Sequence, residues 1–305
     1  MQNQISYTLI EWLNEWLETY KAPHVQAGTL SVYRETIQRL SLCECADMPL
    51  ETVDERHIQR ALNEMAHRRG KPYSKSIMKK AMYTLSASLK YAKRLGIISS
   101  NPCDLDVILL PKSPTKKVLP LTHAEQERLE MVCRCDPLGH VIIFLLRTGL
   151  RRGELLNLKW EDYDDSSTDG AVYIHIQKSK TPAGERPVWL INEAKRIVDA
   201  QPRNHDFIFS TMRGTPLTIS SLKKAVERIR KAAHLPSFAL HVCRHTFVTR
   251  LCEKNQSAKT IAKIIGHAHT GYVLDIYASL EDDASRKGIF ALDVDDGSAN
   301  NRNIP

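Results

Sequence analysis

Three stretches of this chain bring together side chains that could do chemistry. Residues 145–160 read LLRTGLRRGELLNLKW, residues 241–251 HVCRHTFVTRL and residues 266–280 GHAHTGYVLDIYASL. In the first, Arg151 and Glu154 are three apart, so on a helix the carboxylate can hold the guanidinium in place. In the second, His241 and Arg244 share a helix face at the same spacing, while His241 and His245 stand four apart. That last spacing suits zinc, but no Glu follows the first His as in HExxH, and Arg244 would repel a dication. In the third, Tyr272 and Tyr277 lie beside His267 and His269. Periodicity does not choose between the two tyrosines, because Val273, Ile276 and Leu280 form a helical stripe that both of them flank. Each stretch also has a plain structural explanation: a helix corner with solvated arginines, a helix with Phe247 and Leu251 in a core, and a packed tyrosine.

Such groups need a scaffold, and the bulk numbers bound it. The 305 residues are too many for one small core and suggest two domains. A 42% apolar and 26% charged composition is that of a globular protein. No run of about 18 apolar residues could span a membrane. The start, MQNQISYTLIEW, lacks the basic and apolar regions of a signal peptide, so a cytoplasmic location is expected. The seven cysteines are odd in number, with no CxxC; the CxC pairs Cys43/Cys45 and Cys133/Cys135 are poor zinc spacings, so reduced thiols and no metal or cofactor are expected.

The formal net charge of +8 favours a polyanionic partner, and its distribution is sharper than its sum. Between Met65 and Cys103 nine basic residues stand with no acid: Arg68, Arg69, Lys71, Lys75, Lys79, Lys80, Lys90, Lys93 and Arg94. Past residue 280 the balance reverses, with Glu281, Asp282, Asp283, Asp293, Asp295 and Asp296 against three basic residues. One end would be drawn to phosphate and the other repelled by it.

Helical spacing runs through residues 7–20, 30–40, 57–68 and 74–95. In the last, Ile77, Ala81, Leu85, Leu89 and Ala92 form a stripe, the lysines lie opposite, and Gly96 is a stop. Residues 1–110 therefore read as an all-helical domain with a basic face, which is either a solvated face or a surface for DNA. PKSPTKKVLP, residues 111–120, reads as an extended basic linker. A second, mixed domain is expected over residues 121–291, entered through a Thr122/Glu125 capping box. It holds an apolar helix at 137–148 that stops at Gly149, a hairpin from AVYIHIQ (171–177) and ERPVWLI (185–191), a further short strand at DFIF (206–209), and helices near 219–233, 241–254, 258–265 and 271–279. Residues 292–305 are expected to be a disordered tail.

Set side by side, the three stretches resemble a known family. TGLRRGEL resembles the TGxRxxEL box of the tyrosine recombinase (phage integrase) family, HVCRHTFVTRL its HxLRHTFAT box, and IIGHAHTGYVLDIYASL its LGHxxxxxTxxxYxHL box. Their order fits, a hairpin lysine lies between the first two, and the resemblance covers about residues 5–290. It implies a mainly α fold with a small antiparallel β element: a helical, SAM-like core-binding domain and an α+β catalytic domain. Carried over by position, Arg151 and Arg244 would bind the scissile phosphate, Lys180 would be the hairpin lysine, His241 and His267 the two box histidines, Glu154 the supporting acid and Tyr277 the nucleophile. Two departures stand out. Val242-Cys243 replaces the usual acid and leucine, neither a catalytic group, and the hairpin offers both Lys178 and Lys180. Lys180 fits better, because KTPAGERPV resembles the family's turn and returning strand. His269 receives no role, and Tyr272 would pack at the start of its helix.

The resemblance implies a site-specific recombinase or integrase that cleaves and rejoins DNA strands through a 3′-phosphotyrosyl intermediate without a metal ion. Its partners would be double-stranded DNA at recombination sites, three further protomers in a tetramer on that DNA, and accessory DNA-bending or directionality proteins, with no membrane. Both domains would grip the duplex, and Ile289, Phe290 and Leu292 could be the apolar piece that protomers exchange. Three alternatives remain open here: a relaxing enzyme like a type IB topoisomerase, a catalytically silent DNA-binding regulator, and a metal hydrolase built on His241, His245, His267 and His269.

Overall fold

The computed structural model describes residues 6–68, 72–104, 107–112, 118–168, 170–177, 184–211, 213, 215–267 and 269–280, without the side chains of Tyr272, Ser279 and Leu280. The chain divides into two compact units, Met1–Lys117 and Val118–Pro305. Mostly helical, with one small antiparallel sheet, the fold is of the class expected from the sequence.

The first unit is helical: α1 (Leu9–Trp16), a π-helical turn over Leu17–Lys21, α2 (Ala27–Leu40), α3 (Glu55–His67) and α4 (Lys75–Arg94). Helix α1 starts because Thr8 and Glu11 cap each other reciprocally. Its apolar face, Leu9, Trp12, Leu13 and Trp16, is at most 1% exposed, and Trp12 Nε1 donates to the Ser88 carbonyl oxygen on α4 at 3.1 Å. Burying side chains of this size stabilises by roughly 1.5–3 kcal/mol each. On α4 the buried stripe is Met78, Ala81, Leu85, Leu89 and Ala92. Ile77, expected in that stripe, is only half-buried, and Met78 takes the place. Gly96 ends the helix at φ 74°, the left-handed conformation that glycine adopts without strain.

The second unit contains α5 (His123–Cys135), α6 (Gly139–Thr148), α7 (Arg152–Leu156), β1 (Tyr163–Asp164), β2 (Tyr173–Ile176), β3 (Arg186–Trp189), α8 (Asn192–Asp199), α9 (Ile219–Ala232), α10 (Leu240–Glu253), α11 (Ala258–Ile265) and α12 (Gly271–Leu280). The Thr122/Glu125 capping box is present. Helix α6 is buried nearly all round, as its unbroken apolar sequence requires, and packs between α5, α8 and α10. The three-stranded sheet runs β1-β2-β3, with Ile174 opposite Val188 and Ile176 opposite Arg186. Ile174, Ile176, Val188 and Arg186 are all buried, so a charged residue holds an inward slot. A second cluster, with Val248, Ile261, Ile265, Val273 and Ile276, joins α10, α11 and α12.

In the second unit the structure departs from the sequence reading at two further places. Residues 206–209 do not form a strand: they meet residues 158–160 through one Lys159–Phe207 bridge, with Ile208 N donating to the Leu158 carbonyl oxygen at 3.0 Å. The apolar run reflects burial of Ile208 and Phe209 in the core rather than a ladder. Helix α8 was not anticipated; with only Ala194 and Val198 buried, its eight residues carry too short a pattern to be read. Among the described residues, no helix is long and apolar enough to cross a membrane, and the cysteines are free thiols.

A candidate active site at the carboxyl end of a helix

Helix α11 ends at Gly266, held at φ 64°. The last carbonyls of a helix have no partner within it and carry the negative end of its dipole. Here three consecutive ones each accept from a different arginine. Arg186 Nε donates to the Ile264 oxygen at 2.8 Å, Arg244 Nη2 to the Ile265 oxygen at 2.7 Å and Arg151 Nη2 to the Gly266 oxygen at 2.7 Å. The three guanidiniums arrive from β3, from α10 and from the residue that precedes α7.

A second helix end contributes. Helix α6 also stops at a left-handed glycine, Gly149, and Arg244 Nη1 donates to its carbonyl oxygen at 2.8 Å. Arg244 thus spans the ends of α6 and α11 and is only 3% exposed. Arg151 is the accessible member, with 37% of its side chain exposed.

Glu154 ties the set together. Its Oε1 accepts from Arg151 Nη1 at 2.6 Å and its Oε2 from the Arg151 backbone N–H at 2.9 Å. Arg186 Nη2 donates to Oε2 at 3.2 Å and Nη1 to Oε1 at 3.4 Å. Burial is the largest single influence on this carboxyl and favours its neutral form. The hydrogen bonds and charge of Arg186, then the hydrogen bonds of Arg151, together outweigh it and hold Glu154 below the usual carboxylate range. Three guanidiniums against one carboxylate leave an excess of two positive charges (3 − 1), which suits a phosphodiester anion.

Both histidines border the cluster. His241 lies one turn before Arg244 on α10, with its ring edge-on to His245 at a 4.7 Å centroid distance. Burial, then the charges of Arg244 and Arg151, push its pKa down, so the ring is neutral and able to accept a proton near neutral pH. His267 directly follows Gly266, and its backbone N–H closes α11 onto the Ala262 oxygen at 2.9 Å. Its Nδ1 lies 3.0 Å from the His269 carbonyl oxygen. A carbonyl only accepts, so Nδ1 carries a hydrogen. His269, given no role from the sequence, therefore orients His267 through its backbone.

The structure does not bring the Tyr277 hydroxyl to the arginines. Tyr277 is half-buried against the α10–α11–α12 cluster, and its hydroxyl donates to the Gln256 carbonyl oxygen. Gln256 precedes α11, whereas the arginines sit at its far end; at about 1.5 Å per residue, eight helical residues separate them by about 12 Å. Burial, then the neighbouring Cys252 thiol, raise the Tyr277 pKa, so the phenol is neutral there. Tyr272 is in the first turn of α12. Lys178 and Lys180 lie outside the described residues, as do Arg69, Lys71 and residues 281–305 with Ile289, Phe290 and Leu292. Of the remaining basic candidates, Arg68, Lys75, Lys79, Lys80, Lys90, Lys93 and Arg94 are all exposed, and Arg68 packs over the Tyr73 ring. Among the described residues, no three His, Cys, Asp or Glu side chains gather where they could hold a metal ion.

Sequence reasoning missed Arg186. The signal was there: in ERPVWLI, Arg and Val alternate onto one face, and that face meets Ile174 and Ile176. A charge on the buried face of a strand needs partners.

Comparison with known proteins adds three kinds of likeness. The family model for the phage integrase family matches residues 120–283, and that for the phage integrase SAM-like domain matches residues 8–107. A tyrosine recombinase XerC-like protein of Caldanaerobacter subterraneus subsp. tengcongensis is 24% identical, over 87% of this chain and 76% of that protein. The integrase of Staphylococcus phage L54a is 22% identical, over 90% of this chain and 89% of its own length. Among solved structures, the Tn1549 transposon integrase in complex with transposon right end DNA superposes with a TM-score of 0.74 at 21% identity, covering 94% of this chain and 99% of that one.

Proposed function

The chain belongs to the phage integrase family, and on that premise we propose that Tyr277 opens a DNA strand by attacking a phosphodiester held by Arg151 and Arg244. As a member of that family it is an enzyme of site-specific recombination that cleaves and joins DNA strands. The proposal concerns which residues do this, on what partner, and in what assembly. The observation that carries it is the gathering of Arg151 and Arg244 on adjacent carbonyls at the end of α11, with His241 and His267 beside them.

Negative charge grows on the nonbridging oxygens as a nucleophile reaches phosphorus. Planar, permanently charged guanidiniums meet it without any proton having to move. His241, neutral near pH 7, takes the phenolic proton, and His267 hydrogen-bonds the phosphate. Lys180 gives a proton to the departing 5′-oxygen, which leaves as the 5′-hydroxyl. Tyrosine is suited to the attack because its phosphate ester retains the bond energy, so a 5′-hydroxyl from a second duplex can reverse the step and exchange strands. Glu154 supports Arg151. From its seat on Gln256, the Tyr277 hydroxyl reaches the phosphate only when α12 moves, or when a neighbouring protomer supplies its own.

The partner is double-stranded DNA at specific sites, contacted by residues 1–110 through the basic face of α4 and by residues 121–291 through the arginine cluster. Four protomers assemble on two sites, with accessory DNA-bending or directionality proteins, in the cytoplasm. Nothing in the comparisons favours a silent regulator or a relaxing enzyme.

A nicked suicide duplex carrying the DNA that flanks the gene tests the assignment. Wild type is expected to give a covalent adduct that survives denaturation, and Tyr277→Phe to bind the duplex without attaching. An adduct of undiminished yield with Tyr277→Phe would move the nucleophile elsewhere.

A further inference from the structure

Arg186 is almost wholly buried, at 5% side-chain exposure, beside Glu154 at 6%. It touches three things at once. Its Nη1 and Nη2 reach the two oxygens of Glu154, whose other partner is Arg151. Its Nε holds the Ile264 carbonyl, next to the carbonyls that hold Arg244 and Arg151. Its Nη1 also donates to the Gly184 carbonyl oxygen at 2.8 Å, two residues back along the chain and just before β3. The fit is close on the helix side as well, since a Cβ on Gly266 would stand 2.7 Å from Arg186 Nη1.

We propose that Arg186 is a positioning residue for strand cleavage: through Glu154 and the end of α11 it fixes where the Arg151 guanidinium meets the scissile phosphate. The proposal rests on the reading of Arg151 and Tyr277 given above. Arg186 is covered by Glu154, Ile264 and Gly266, so it acts on DNA through Arg151 rather than by contact. Burial of an ion pair is weak evidence for a stabilising role, because apolar residues of equal volume often serve as well. What apolar residues cannot do is donate to a carboxylate, a carbonyl of α11 and the Gly184 carbonyl at once. The guanidinium fork does this with fixed geometry, and a lysine, one charged nitrogen on a flexible stem, cannot. Small displacements of a group that must meet a transition state cost rate steeply, on the order of 100-fold for 1 Å.

The test is a comparison of wild type, Tyr277→Phe, Arg186→Lys, Arg151→Lys and the Arg151→Lys/Arg186→Lys double variant on the same nicked duplex. The rate of covalent attachment at saturating DNA and the Kd for that duplex are read separately. Arg186→Lys is expected to slow attachment about 10- to 100-fold with Kd changed less than about threefold. Because Arg186 acts through Arg151, the double variant is expected to be no slower than Arg151→Lys alone, whereas independent effects would multiply. Attachment by Arg186→Lys at the wild-type rate, or multiplied losses in the double variant, overturns the role. If Arg186→Lys does not fold, Glu154→Gln asks the same of the other half of the link. It should give slowed attachment, preserved binding and no added loss on top of Arg151→Lys; a wild-type rate overturns the proposal. Failure of wild type to attach, or attachment by Tyr277→Phe, sinks the underlying reading and this role with it.

Discussion

His245 sits one turn past His241 on α10, half-buried, and packs against that ring. Burial, then the nearby His241 and Arg244, push its pKa down to about 4 from an ordinary 6.5. An unfolded chain would take up a proton there near pH 6.5, while the folded one resists until about pH 4. Folding stability should therefore be full above pH 6.5 and fall as the pH drops through that window. Urea melts at pH 7.5, 6, 5 and 4 check this against His245→Asn, which should remove part of the slope; equal slopes would place the acid sensitivity elsewhere. The same face was legible from spacing alone only as far as His241, Arg244 and His245 lying together. That Arg244 would be buried, holding two helix ends, was not, because its partners are backbone carbonyls 95 and 21 residues away.

Helix ends, more than helix faces, make this site. Gly149 closes α6 at φ 63°, and a Cβ there would stand 2.3 Å from Phe247 Cδ1 on α10. Gly149→Ala should combine left-handed strain with that clash. It should destabilise the second unit by about 2 kcal/mol or more, with a Tm loss of roughly 4–8 °C. Calorimetry on the purified variant measures it, and an unchanged Tm would mean that α10 yields without cost. Gly149 as a stop, the Thr122/Glu125 cap, the hairpin strands and the buried stripe of α4 could all be read from the sequence, since each is set by local chemistry. The bridge at Phe207 and the role of Arg186 could not, because each depends on a partner distant in the chain.

At the scale of the whole chain, charge divides the labour. Helix α4 presents Lys75, Lys79, Lys80, Lys90, Lys93 and Arg94 to solvent and holds no carboxylate of its own. If that face meets phosphates, each phosphate left without its lysine should lower the slope of log K against log salt by roughly 0.9. Replacing Lys79, Lys80, Lys90 and Lys93 by Gln should therefore weaken duplex binding and flatten the slope by up to about 3.6; titrations by fluorescence anisotropy between about 50 and 200 mM salt report it. An unaltered slope would remove α4 from the DNA surface. The second unit uses its charge differently, since the arginines of its site are locked to carbonyls. With its proposed cutting group fastened to Gln256 at the opposite end of α11, a lone protomer resting on chromosomal DNA would be an unloaded tool. Breakage of the genome would then await whatever unlatches α12, so the safety catch and the blade are the same short helix.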